Sequence, residues 1–110
     1  LTTAFCLGLL LFGCAHQWQQ TGEARDARIP VRFTHEDLRA KEVSLVADFT
    51  GWKPQMMTKS GETWSLEFPL PPGRYLYAFL VNGRTWKPDP WALLFDEDSF
   101  GKKNSVLIVE

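Results

Sequence analysis

The sequence predicts an all-β sandwich, and three observations predict it. From Ile29 onward the apolar residues recur with a period of two, the repeat of a half-buried strand. Gly, Pro and Asn signals punctuate these runs at short intervals, as in two packed antiparallel sheets. The chain has 110 residues, and about eighty of them carry this pattern, enough for one domain.

Taken in order, Ile29, Val31 and Phe33 alternate with Pro30, Arg32 and Thr34, a first strand. His35 to Lys41 has a single apolar anchor, Leu38, and reads as a loop or one turn, with His35 a solvated loop histidine. Val43, Leu45 and Ala47 alternate with Ser44, Val46 and Asp48, and Thr50-Gly51 then turns the chain. Trp64, Leu66 and Phe68 alternate with Ser65, Glu67 and Pro69 after Ser60-Gly61, which places Trp64 in the core. Pro71-Pro72-Gly73 forbids a helix and forces a sharp connection. Arg74 to Val81 (RYLYAFLV) is apolar at nearly every position, as expected of a central strand covered on both faces. Asn82-Gly83 is a hairpin signal, because a type I′ turn needs positive φ at both central residues. Asp96-Glu97-Asp98 reads as a solvated acidic loop, Phe100-Gly101 as a turn, and Ser105 to Val109 as the closing strand.

Residues 1–28 read differently. Ala4 to Phe12 (AFCLGLLLF) is an uncharged apolar run, about the length of a signal-peptide core and far short of the roughly 20 residues of a membrane span. Leu11-Phe12-Gly13-Cys14 at its end resembles a bacterial lipobox, which implies cleavage before Cys14 and a diacylglycerol on its sulfur. The expected organisation is a lipoprotein signal peptide over residues 1–13, a lipidated Cys14 and flexible tether over 14–28, and the sandwich over 29–110. Trp18 stands alone in that tether. The implied location is the bacterial cell envelope, with the domain lipid-anchored to a membrane.

Composition excludes several functions. Twelve Lys and Arg balance thirteen Asp and Glu for a net charge of −1, so there is no basic footprint for a nucleic acid. The only cysteines are Cys6 and Cys14, both in the leader, and the folded part has one histidine, His35. A Cys–His pair and a zinc site with three or four ligands are therefore unavailable. The acidic run neither alternates like a Ca²⁺ loop nor sets two carboxylates across a bond. No glycine-rich phosphate loop is present. The chain reads as non-catalytic, with no cofactor and no metal.

What remains is aromatic. Trp52 follows the Thr50-Gly51 turn, and Trp86 follows the Asn82-Gly83 turn ahead of Lys87-Pro88-Asp89-Pro90. Neither lies within an alternating run, so both point to a binding surface. A rigid indole suits the apolar C–H face of a pyranose, and a carboxamide such as Asn104 can donate and accept at vicinal hydroxyls.

Four ordered motifs carry a resemblance: Lys41 to Trp52 (KEVSLVADFTGW), Leu70 to Gly83 (LPPGRYLYAFLVNG), Trp86 with Asp89-Pro90, and Asn104 before the last strand. Over Ile29 to Glu110 the chain resembles the glycogen-binding domain of the AMP-activated protein kinase β subunit, within carbohydrate-binding module family 48. The resemblance implies an early-set, immunoglobulin-like sandwich and an α-glucan ligand. It implies that Trp52 and Trp86 stack on glucose units, that Phe100 is the hydrophobic loop residue entering the curve of the glucan, and that Asn104 binds hydroxyls. The family's central-strand lysine is Ala78 here, and Lys87 is the nearest candidate replacement. Its usual asparagine before the first tryptophan is Thr50 or Gly51. The implied function is a membrane-anchored, non-catalytic α-glucan-binding module. The alternative is a cell-envelope protein–protein interaction module on the same sandwich, using an exposed strand edge or the tryptophan patch.

Overall fold

Two antiparallel sheets face each other in a computed structural model that describes residues 27–98 and 100–110. The leader, Cys14 and Trp18 lie outside the described residues. The chain runs β1 (Ile29–Glu36), β2 (Val43–Ala47), a 3₁₀ turn (Asp48–Thr50), β3 (Gln55–Met56), β4 (Thr58–Ser60), β5 (Thr63–Leu70), β6 (Gly73–Val81), β7 (Thr85–Lys87), β8 (Leu94–Glu97) and β9 (Lys103–Val109). One sheet has the order β1-β5-β4; the other has β3-β2-β6-β9-β8, with β7 also paired to β6. The expected immunoglobulin-like β-sandwich is the observed fold.

Alternation decides which residues make the core. Phe33 is in register with Leu66 and His35 with Trp64 across the β1–β5 pair. The facing sheet contributes Val43, Leu45 and Ala47 from β2, and Tyr77, Phe79 and Val81 from β6. Phe79 and Leu45 are fully buried, and Phe33 meets Tyr77 edge-on at 5.1 Å. Truncating such an aromatic to alanine costs about 3–5 kcal/mol, transfer and cavity together. Trp64 is buried as expected, and its indole N–H donates to the Asp37 carbonyl at 3.1 Å.

β6 is central, as its composition predicts. Residues 77–81 pair with β2 along one edge. Along the other edge, residues 73–77 pair with β9 and residues 79–81 with β7. The hairpin after it has Asn82 at φ 54° and Gly83 at φ 68°. The Asn82 side chain accepts from the Lys41 and Glu42 N–H groups at 2.8 and 3.2 Å, tying this turn to the approach to β2.

Two sequence readings need correction. Asp96 and Glu97 belong to β8, in register with Asn104 and Lys103, and only Asp98 lies in the loop. His35 is no solvated loop histidine: β1 runs on to Glu36, and the same alternation that buries Phe33 turns His35 inward. Its side chain is 9% exposed and its ring lies 4.8 Å from that of Phe79. Asp37 then ends the strand by accepting the Arg39 and Ala40 N–H groups, each at 3.0 Å.

Burial depresses the His35 pKa, Asp37 opposes that and Lys87 adds to it. The folded state therefore holds fewer protons than the unfolded chain, whose histidine titrates near 6.5. Stability is then fully present above that value and declines as pH falls through it toward the depressed folded pKa. The urea midpoint is expected to fall between about pH 7.5 and about pH 5.5, and His35→Gln should flatten this dependence. An equally steep dependence in His35→Gln would assign the effect to another group.

Candidate functional site

The first indole is delivered by a strained turn. After β2, the Thr50 hydroxyl accepts from the Ala47 N–H at 3.3 Å and lies 3.0 Å from both the Ala47 and Lys53 carbonyls. The Asp48 carboxylate accepts the Leu76 N–H at 3.1 Å, which extends the β2 edge contact along β6. Gly51 and Trp52 follow at φ 65° and 63°, and the Trp52 N–H closes on the Ala47 carbonyl at 2.8 Å. A left-handed glycine costs little; a left-handed tryptophan is unfavourable by about 1–2 kcal/mol. That strain is stored where the indole is aimed outward.

The second indole arrives on β7. Trp86 is in register with Leu80, so it projects from the outer face of the larger sheet, and its N–H donates to the Lys103 carbonyl at 3.3 Å. The two rings, thirty-four residues apart in sequence, meet with centroids 6.1 Å apart and planes 34° apart. Beside them lies an open hollow of about 510 Å³, lined by Trp52, Leu76, Trp86, Asp98, Phe100, Lys102 and Asn104.

Four predicted residues thus converge on one hollow: Trp52, Trp86, Phe100 and Asn104. Trp52 is 41% exposed and Phe100 is 92% exposed. Phe100 rides on a loop that Asp98 ties together. One Asp98 carboxylate oxygen accepts the Phe100 and Lys102 N–H groups, both at 2.9 Å, and the Asp98 N–H donates to the Lys102 carbonyl. Asn104 is buried beneath the site, and its carboxamide oxygen has no hydrogen-bond partner. A buried acceptor left unpaired costs about 1–3 kcal/mol, a cost that a ligand hydroxyl would remove.

Lys87 does not join them. It follows Trp86 in the strand, so alternation turns it to the other side, where its charge acts on His35 and Asp37. The cation at the hollow is Lys102, whose ammonium sits 4.4 Å from the Trp86 ring centroid. Such a contact is worth about 0.5–1 kcal/mol in an exposed setting. Ala78 shares its outer-facing row with Leu76 and Leu80 and is fully buried. Sequence reasoning missed Leu76, although period two from Ala78 points to it. It missed Lys102 because that residue lies one position before β9 begins.

Catalytic features are sparse. Burial first, then the hydrogen bond and charge of Asp89, push the Tyr77 hydroxyl well above its ordinary pKa, so it stays a neutral donor. Its 2.6 Å bond to Asp89 is structural. Among the described residues no group of three or more His, Cys, Asp or Glu could hold a metal ion.

Comparison with known proteins bears on this site. The family described as the glycogen recognition site of AMP-activated protein kinase matches residues 29–110. Protein PTST homolog 2, chloroplastic, of Arabidopsis thaliana is 39% identical over 72 residues, covering 64% of this chain and 13% of that protein. The phosphoglucan phosphatase LSF1, chloroplastic, of the same plant is 32% identical over 82 residues, covering 72% of this chain and 14% of its own length. Among solved structures, maltogenic amylase from S. marinus aligns with a TM-score of 0.66 and 27% identity, over 78% of this chain and 14% of that one. The chain thus spans about one seventh of the length of these relatives.

The left-handed turn makes a test of its own. Trp52→Gly should be more stable than Trp52→Ala by about 1 kcal/mol, because glycine alone relieves the backbone strain. Equal urea midpoints for the two variants would show that the positive φ carries no strain.

Proposed function

The chain belongs to the family of the AMP-activated protein kinase glycogen recognition site, and we propose that its tryptophan hollow binds an α-1,4-linked glucan without chemically altering it. The observation that carries the proposal is the convergence of two indoles, from separate turns, beside a buried amide whose oxygen lacks a partner. A glucose unit has an apolar face and a rim of hydroxyls, and the hollow has a counterpart for each. Trp52 and Trp86 desolvate C–H faces of successive residues at little cost in rotamer entropy. Asn104 accepts a hydroxyl hydrogen from below, and Lys102 donates from the rim. Phe100, on its tied loop, packs against the concave side of a curved glucan. The matching relatives support this ligand class, since one is a phosphoglucan phosphatase and one of the matching structures is a maltogenic amylase.

The anchor is part of the same proposal. It rests on the residues of the leader alone: an apolar run ending in Leu11-Phe12-Gly13-Cys14 and followed by a polar segment. A doubly acylated Cys14 would hold the glucan-binding face at a membrane surface in the cell envelope. Palmitate labelling of the parent, with release of Cys14→Ala into the soluble fraction, is the expected outcome. A Cys14→Ala protein as firmly membrane-bound as the parent would remove the anchor and leave the sugar site standing.

Affinity electrophoresis through glycogen or soluble starch tests the binding site. The parent domain should be retarded, and Trp52→Ala and Trp86→Ala should each weaken binding by about 2 kcal/mol, roughly thirtyfold. Asn104→Leu, which removes the orphaned acceptor, should weaken binding while keeping the urea midpoint at or above that of the parent. Unretarded migration of the parent, or unchanged retardation of both tryptophan variants, would overturn the proposal.

A further inference from the structure

We infer that the module carries a second, weaker glucan contact, built around Trp91 in the turn that follows β7. Trp91 is 84% exposed, far more than either tryptophan of the first site needs to be. Leaving an indole in water forgoes the stabilisation that burial of its apolar surface would supply, yet the turn that presents it is firmly fixed. The Asp89 carboxylate accepts the Trp91 N–H at 3.0 Å with one oxygen and the Tyr77 hydroxyl at 2.6 Å with the other. The Asp89 N–H donates to the Ser105 hydroxyl at 2.6 Å, and the Ala92 N–H to the Asp89 carbonyl at 3.2 Å. Pro90 restricts the turn further. The Trp91 backbone is therefore bolted to β6 and β9.

Next to it is a hollow of about 230 Å³, lined by Thr34, His35, Glu36, Asp89, Pro90 and Trp91. At ~30 Å³ per water molecule it has room for several waters, and so for a single pyranose ring. Its chemistry is that of a sugar contact: one aromatic plate, a hydroxyl, a carboxylate and an imidazole. The His35 side chain is nine-tenths buried, and its Nε2 faces the Asp37 carboxylate at 3.8 Å, so the imidazole serves as a wall of the hollow. Both Asp89 carboxylate oxygens are already engaged by the turn, so Glu36 and Thr34 supply the free polar groups. An apolar hollow lined by Leu93, Leu94 and Ile108 also borders Trp91, but the polar groups lie on the β1 side.

The two hollows share no lining residue. A long or branched glucan can engage both, and tethering of the second contact raises retention without a new strong bond. The ligand class rests on the reading of the first site, and the test separates the two.

The test compares maltoheptaose with glycogen. Trp91→Ala should bind maltoheptaose within about twofold of the parent but lose about fivefold or more in retention on a glycogen gel. Trp91→Phe should keep most of that retention. The double variant Trp52→Ala/Trp86→Ala should retain a residual interaction with glycogen that adding Trp91→Ala abolishes, with folding checked by near-ultraviolet circular dichroism. Glycogen retention of Trp91→Ala equal to that of the parent would overturn the second site and leave the first intact. So would concentration-dependent self-association of the parent, by sedimentation velocity, that Trp91→Ala removes, since the indole would then serve a protein interface. A parent that binds neither ligand would overturn both readings.

Discussion

The pairing of β6 is the constraint on which the rest of the structure depends. Its inward row, Tyr75, Tyr77, Phe79 and Val81, supplies the core against the smaller sheet. Its outward row, Leu76, Ala78 and Leu80, underlies the tryptophan hollow. Near Ala78 one edge changes partner from β9 to β7, and this change brings Asn104 and Trp86 to the same place. On the opposite edge the Asp48 carboxylate takes over from the β2 ladder at Leu76 and sets the turn that carries Trp52. One strand thus organises both the core and the binding face.

The site is preorganised at the expense of local comfort. Trp52 holds an unfavourable backbone conformation, Asn104 buries an acceptor without a donor, and Phe100 stands almost wholly in water. The first two oppose stability and the third forgoes the gain of burial, and together they gather where a flat, hydroxyl-rimmed ligand would fit. Small domains have only about 5–15 kcal/mol of stability in total, so such concessions gathered in one place are the features on which the proposed glucan site rests. The core opposite compensates with close aromatic packing among Phe33, Tyr77 and Phe79.

Much of this was legible in the chain. The alternation of Ile29–Phe33, Val43–Ala47 and Trp64–Phe68, and the dense apolar run of β6, gave strands close to those observed. Trp52 and Trp86 declared themselves by following turns instead of sitting within alternating runs. β3, β4 and β8 were not legible, because they are short edge segments whose pairing depends on a neighbour distant in sequence. His35 was misread for a related reason. Charged neighbours suggested a loop, while the register with Trp64 carried the strand two residues further and turned the ring inward.

What the sequence determined by itself is the fold class, the central strand, the absence of a Cys–His pair from residues 29–110, and the identity of the two indoles of the hollow. These follow from local information: side-chain period, turn chemistry and residue inventory. Only the tertiary structure decided that the indoles touch, that Lys102 and not Lys87 is the cation beside them, and that Trp91 borders a polar hollow with Thr34, His35 and Glu36. The physical reason is that strand alternation assigns each side chain to one of two sides, but register and the choice of partner strand decide which side chains from distant segments share a side.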